Sequence, residues 1–381
     1  MKIPEKARAV IHGLESHGYS VYLVGGCVRD SLLGLEPSDY DFTTNALPEE
    51  IIRCFEHTVA TGIRHGTVTV VMDHIPFEVT TYRTETNYTD HRHPSRICFV
   101  NNITEDLARR DFTINAMAYH PKTGLIDPFG GKDDCENGIL RTVGVPQQRF
   151  CEDALRILRL FRFACRFGFT IEKATRTAAE RLASTLRNIS VERVADELFR
   201  IIGADFFEPL ETFISHAGLS FLGIHTSSGL SGLCDLPNEK AIRFYAFCES
   251  CRIHPVKFAE HLKCDRALCH TLQNLGEILP VLSSDRIELK RLLSRYPTED
   301  VRRAFILKRS DASQLDDILA KAEPCHIRDL AIDGNDLISI GLNGKEIGNV
   351  LACLLDQVIE KPSLNHREKL LKISRQLRNI P

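Results

Sequence analysis

The chain predicts an α+β head followed by an all-α remainder, and three observations predict it. Short β-branched or aromatic runs bounded by Gly, Pro or Asp are confined to the part before about residue 140. Beyond it, apolar residues recur at threes and fours with few glycines. The length of 381 residues is also too great for one domain of about 150 residues.

The elements follow in order. The opening stretch MKIPEKARAVIHGLESHGYS reads as a polar helix. Val21–Val24 is a short strand ending in Gly25-Gly26, and Asp39–Thr43, Thr67–Met72 and Phe77–Tyr82 read as further strands. The stretch from Arg83 to Pro94 is polar without an apolar period and reads as a loop. Asn115–Tyr119 continues a strand or helix, and Gly124–Pro128 looks like a turn. From about 141 to 205 the pattern is helical, with twelve basic against seven acidic side chains between Arg141 and Arg200. Residues 206 to 305 are helical with breaks near Gly229–Pro237 and at His254-Pro255. The last part, 306 to 381, is helical and ends basic, with Lys369, Lys372, Arg375 and Arg378.

Composition excludes some classes. With 43% hydrophobic and 26% charged residues the chain is not largely disordered. A net charge of −3 means that any nucleic-acid binding rests on local basic patches. The 13 cysteines follow no export signal, so reduced thiols in a cytoplasmic protein are expected. No apolar run has the length of a membrane span. Cys248, Cys251, Cys264 and Cys269 imitate a zinc-ligand spacing, but their helical setting reads as ordinary packing.

The sharpest chemical signal is Leu23-Val24-Gly25-Gly26-Cys27-Val28-Arg29-Asp30 followed by Asp39-Tyr40-Asp41-Phe42. On a strand, Asp39 and Asp41 would present two carboxylates on one face. Two hard oxygen ligands at that spacing suit Mg²⁺, which takes few carboxylates and completes its shell with phosphate oxygens and water. The Gly25-Gly26 pair ends a strand and lets backbone N–H groups approach a phosphate, and Arg29 can reach the same phosphates. Glu78, on a second strand, is a candidate third carboxylate for deprotonating a hydroxyl or holding a second metal; the competing reading is a solvated strand residue.

The segments LVGGCVRDSLLGLEPSDYDFTT, TGIRHGTVTVV, LARRDFTINAMAY, EDALRILRLFRFACRFGF and ISVERVADEL together resemble, in order, the motifs of the class II CCA-adding enzymes (tRNA nucleotidyltransferases) and their poly(A) polymerase relatives. The C-terminal IDGNDLISIGLNGKEIGNVLACLLDQV resembles the family's tail, so the resemblance covers nearly the whole chain. It implies a bacterial-type nucleotidyltransferase catalytic head (a mixed sheet with flanking helices) over 1–140, a helical neck with a base-selecting helix over 141–205, a helical body over 206–305 and a tRNA-binding tail over 306–381. It also implies that Arg110 helps bind the incoming nucleotide and that Asp111 contacts its ribose or orders neighbouring groups. In the family a flexible loop at 83–94 is associated with the switch from adding C to adding A, and here it looks full-length.

Beside that resemblance, Glu152-Asp153-Ala154-Leu155-Arg156 reads as the opening of a helix with Asp153 and Arg156 on one face. A carboxylate accepts from an exocyclic amino group and a guanidinium donates to a ring nitrogen, so this pair matches both cytosine and adenine. Guanine and uracil present the opposite polarity. The bland alternative is an i,i+3 ion pair. Arg159 and Arg162, further along the helix, can address triphosphate or primer backbone.

The expected function is therefore template-independent addition of CCA to the tRNA 3′ end from CTP and ATP, with Mg²⁺ as cofactor and no membrane partner. A homodimer is one candidate state. The rivals are a poly(A) polymerase or a CC-only enzyme of the same family, and a catalytically silent RNA-binding relative.

Overall fold

A computed structural model describes residues 1–88 and 94–378. The chain divides into two compact units, one of Met1–Cys234 with Ser250–Ile253 and one of Asp235–Glu249 with His254–Pro381.

The first unit begins with helix α1 (Glu5–Glu15), which buries Ala7, Val10, Ile11 and Leu14 along one stripe at helical spacing. A seven-stranded sheet follows. Its strands are β1 (Val21–Val24), β2 (Asp41–Thr44), β3 (Thr58–Gly62), β4 (Thr67–Met72), β5 (Ile75–Thr81), β8 (Ala118–His120) and β9 (Gly124–Ile126), in the order β3-β4-β5-β2-β1-β8-β9. The β2–β5 pair is parallel and the others are antiparallel, so the expected mixed sheet is present. Alternation in Thr67–Met72 buries Val68 and Val70 on the core side. Helices α2 (Gly26–Leu32), α3 (Pro48–Cys54), α4 (Ile103–Ala108) and α5 (Gly131–Glu136) flank the sheet.

Three expectations of local structure are corrected. The strand read at Asp39–Thr43 is β2, Asp41–Thr44, and Asp39 lies ahead of it. The β1–β2 ladder ends with Val24 opposite Asp41, because β1 stops there at the Gly25 turn and leaves Asp39 no partner. Of the polar stretch after Tyr82, Arg83–Tyr88 is a strand: β6 (Arg83–Tyr88) and β7 (Pro94–Phe99) pair antiparallel with Arg83 opposite Phe99 and Tyr88 opposite Pro94. Alternating Thr84, Thr86 and Tyr88 suit a strand, and the lack of an apolar face concealed it. Residues 89–93, part of the expected switching loop, lie outside the described residues. Finally, Gly124–Ile126 is a strand, with the turn at Pro121-Lys122-Thr123 just before it.

From residue 139 a short parallel pair, β10 (Ile139–Leu140) with β11 (Thr170–Ile171), frames a helical stretch. Between them lie α6 (Pro146–Glu152) and α7 (Leu155–Phe167), and after them come α8 (Lys173–Leu182), α9 (Val191–Ile202) and α10 (Glu208–Ser215). Helix α7 is buried on nearly every side, the pattern of a central helix, and ends at Gly168 in the left-handed conformation. It packs on α9 and α10, with Phe161 stacked on Phe213 at 3.9 Å.

The second unit is helical throughout its described residues, and two of its apolar clusters stand out. One gathers Leu275, Leu289, Val301, Phe305 and Ile318; the other gathers Leu337, Leu354, Val358 and Leu370. Buried Lys290 donates to the Ile359 carbonyl at 3.1 Å and pairs with Glu323 at 3.3 Å. Among the described residues, no helix is long and apolar enough to cross a membrane.

Candidate active site

The site is built in the first unit, where β1 turns into α2. Gly25 has φ +71° and ψ −127°, a backbone that side-chain-bearing residues rarely adopt, and its N–H donates to the Met117 carbonyl at 3.3 Å. A Cβ at Gly25 would stand 3.0 Å from Nη1 of Arg110. Gly26 is less constrained, since a Cβ there would meet only Arg29 Nη2 at 3.6 Å.

Opposite this turn stands Asp41. Phe42 pairs with Val79 in the parallel β2–β5 ladder, so Asp41 and Glu78, one step earlier on each strand, are neighbours. Asp39 and Glu78 are exposed, while Asp41 is half-buried. Burial, Asp39 and Glu78 push the Asp41 pKa up to about 6, and only Arg110 opposes them. Among the described residues no three His, Cys, Asp or Glu side chains form a ready-made metal cage. A pair of carboxylates under mutual repulsion nevertheless fits Mg²⁺, which is held by one or two protein carboxylates plus water and phosphate.

Arg110 faces the same space. Its Nη2 lies 3.5 Å from the Asp106 carboxylate, and its buried Nε has no hydrogen-bond partner. Asp111 does not point outward: Oδ1 accepts from Phe112 N at 2.8 Å and Asn115 Nδ2 at 3.1 Å, and Oδ2 accepts from Arg159 Nε at 2.8 Å. Burial alone would raise its pKa, but the Arg159 and Arg156 guanidinia and these hydrogen bonds hold it well below the usual carboxylate range. Asn115 in turn accepts from Arg29 Nη1 at 2.6 Å.

Arg29, expected to reach phosphates, is only 4% exposed. It donates to Asp30 at 2.8 Å, and its guanidinium lies 5.1 Å from the Phe163 ring and 4.9 Å from the Phe167 ring. The guanidinium is thus engaged within the protein, and it meets the site through Asn115 and Asp111.

The segment expected to read the base is also built differently from a continuous helix. Glu152 ends α6, and Asp153 sits in an extended link (φ −140°, ψ 105°) before α7. Its Oδ1 accepts from Leu155 N at 3.0 Å, a local bond that competes with helical backbone and draws Asp153 out of the helix. Oδ2 accepts from Arg193 Nη2 at 2.9 Å. Arg156 is held by Glu152 at 2.6 Å, the Arg149 carbonyl at 3.3 Å and the Arg109 carbonyl at 3.1 Å. Among the described residues no ion pair joins Asp153 to Arg156, so the two are positioned separately. Arg162 pairs with Glu197 at 3.2 Å over the Phe163 ring, and burial pushes its pKa down to about 10.

Sequence reasoning assigned no role to Arg193, Glu197, Glu152, Asn115 or Asp106. The i,i+4 pair Arg193 and Glu197 in ISVERVADEL was a usable signal, because its charges complement Asp153 and the Arg159–Arg162 row.

Comparison with known proteins identifies the family. The CCA-adding enzyme of Enterococcus faecalis is 35% identical over 391 aligned residues, covering 98% of this chain and 96% of that protein. The chain belongs to the family of the CCA-adding enzymes, the tRNA nucleotidyltransferases. The Geobacillus sp. CCA-adding enzyme is 45% identical over 220 residues, a match spanning 58% of this chain and about half (54%) of that relative's length. Among solved structures, the crystal structure of the Bacillus stearothermophilus CCA-adding enzyme in complex with CTP superposes with a TM-score of 0.82 at 30% identity, covering 99% of this chain and 98% of that one. The family described as the poly A polymerase head domain matches residues 21–141, and the one described as the probable RNA and SrmB-binding site of polymerase A matches 168–211. The first match contains Gly25, Asp41, Glu78, Arg110 and Asp111; the second contains Arg193 and Glu197.

Proposed function

We propose that the chain adds CCA to the 3′ end of tRNA, one nucleotide at a time, from CTP and ATP with release of pyrophosphate. The observation that carries this reading is the hydrogen bond from Arg156 to the Arg109 carbonyl, which fastens the base-reading segment to the Arg109-Arg110-Asp111 segment beside the carboxylates.

Asp39 and Asp41 would hold Mg²⁺, with Glu78 a neighbouring carboxylate. The ion supplies activation of the attacking 3′ hydroxyl and screening of phosphate charge. Arg110, with an unpartnered Nε and a place next to the Gly25 turn, binds the triphosphate. Asp153 accepts from the exocyclic amino group and Arg156 donates to the ring acceptor of cytosine or adenine. Arg159 and Arg162 line the same helix, and Asp111 and Arg29 keep this arrangement rigid from behind. In this reading residues 1–140 act as head, 141–205 as neck, 206–305 as body and 306–381 as tail. The body and basic tail grip tRNA through phosphate contacts and shape. The thirteen free cysteines support a reducing, cytoplasmic setting.

The test is incorporation on tRNA lacking CCA. Growth by two residues with CTP alone and by three with CTP and ATP together is expected. Repeated A addition without CTP would identify a poly(A) polymerase, and arrest after CC with both nucleotides would identify a CC-only enzyme. No metal-dependent incorporation, with tRNA binding retained, would leave an RNA-binding relative.

A further inference from the structure

Asp106, in the last turn of α4, is fully buried. Its Oδ1 accepts from Arg109 Nε at 2.9 Å and from the Arg83 backbone N–H at 3.3 Å, and lies 2.8 Å from Arg109 Nη2. Its Oδ2 accepts from Thr43 Oγ1 at 3.3 Å and faces Arg110 Nη2 at 3.5 Å. One carboxylate thus gathers β2 two residues beyond Asp41, the first residue of the β6–β7 pair, and both arginines of the nucleotide-binding segment.

This carboxylate is closed off from substrate, so it has no direct part in the chemistry. Burying a charge is unfavourable unless partners compensate, and an apolar residue would fill the same space with less penalty. What an apolar residue cannot do is fix the direction of two guanidinia. Arg109 extends the connection further, because its carbonyl accepts from Arg156 Nη2. Arg110 extends it to the Gly25 turn, where Nη1 stands within 3.0 Å of the Cβ position. Arg110 also feels the charges of Asp111 and Asp41.

We infer that Asp106 is a positioning residue for nucleotide recognition: it sets Arg110 at the Gly25 turn and, through Arg109, sets Arg156 against the incoming base. The inference rests on the base-selection reading above. Without the Asp106 charge, Arg110 is left to Asp111 and Asp41, and Arg156 loses the fixed carbonyl that orients it.

The experiment measures equilibrium binding of CTP and UTP, with Mg²⁺, to the full-length protein and to Asp106→Asn, which keeps size and shape but removes the charge. Loss of a charged hydrogen bond predicts about a tenfold weaker CTP affinity. The CTP-over-UTP preference is expected to shrink roughly threefold, because the orientation of Arg156 is also lost. If Asp106→Asn does not fold, Arg109→Lys takes its place, since a lysine keeps the charge but lacks the two-donor grip. A folded variant with unchanged preference, or one losing CTP and UTP affinity equally, overturns the inference while leaving base selection intact. A wild-type protein that binds CTP and UTP alike removes base selection itself, and this inference with it.

Discussion

Arg193 of α9 donates through Nη2 to Oδ2 of Asp153 at 2.9 Å, across 40 residues of sequence. The carboxylate proposed to read the base is therefore aimed by α9. Asp153 lies in an extended link, where the Leu155 N–H fixes its Oδ1 and Arg193 fixes its Oδ2.

This relationship predicts the behaviour of Arg193→Met. The substitution keeps much of the apolar stem and removes the anchor. CTP discrimination over UTP should fall by about tenfold, the value of one charge-assisted hydrogen bond. Metal dependence should be unchanged, because Asp41 and Arg110 are untouched. Single-nucleotide incorporation rates with each triphosphate provide the check; equal discrimination in variant and wild type would disprove the aiming role.

Asp41 predicts a pH and metal signature. Its folded pKa, about 6, lies above the model-compound value of 3.8 through burial and the Asp39 and Glu78 charges. The folded state therefore binds the proton more tightly than the unfolded state. The resulting stabilisation is fully present below pH 3.8 and is lost as pH rises through about 6. At neutral pH in a chelator, Asp41→Asn should melt a few degrees higher than wild type while being nearly inactive. Adding Mg²⁺ should stabilise wild type more than the variant. Thermal denaturation from pH 4 to 8, with and without metal, tests this, and coincident melting curves for the two proteins throughout would refute it.

At Gly25 the prediction is steric. Alanine must adopt φ +71° and approach Arg110 Nη1 at 3.0 Å, a backbone strain of about 1–3 kcal/mol. Gly25→Ala should lower stability by that order and raise the KM for both CTP and ATP, because Arg110 is displaced. Gly26→Ala, meeting only ordinary contact, should be milder in both respects. Denaturant titration alongside steady-state kinetics of the two variants would decide it, and equal effects would contradict the assignment.

Much of this protein was legible from its sequence alone. The Gly25-Gly26 turn, the Asp39/Asp41 spacing and the helical periodicity after residue 140 are local signals, and a local signal survives being read without coordinates. The ordered motifs added the family, and the α+β head with a helical remainder followed. Tertiary structure decided how each charged side chain is held. Asp111 meets Arg159 over 48 residues, Arg156 meets the Arg109 carbonyl over 47, and Arg29 meets Asn115 over 86. Such pairings depend on which helix crosses which strand, and that information is spread over the whole chain. The same reason explains the errors. Asp39 lies outside its expected strand because β1 ends opposite Asp41, and Arg83–Tyr88 is a strand because pairing, not hydrophobicity, holds it. Spacing identifies the chemical groups; packing across the fold determines which of them face the substrate and which stand behind those that do.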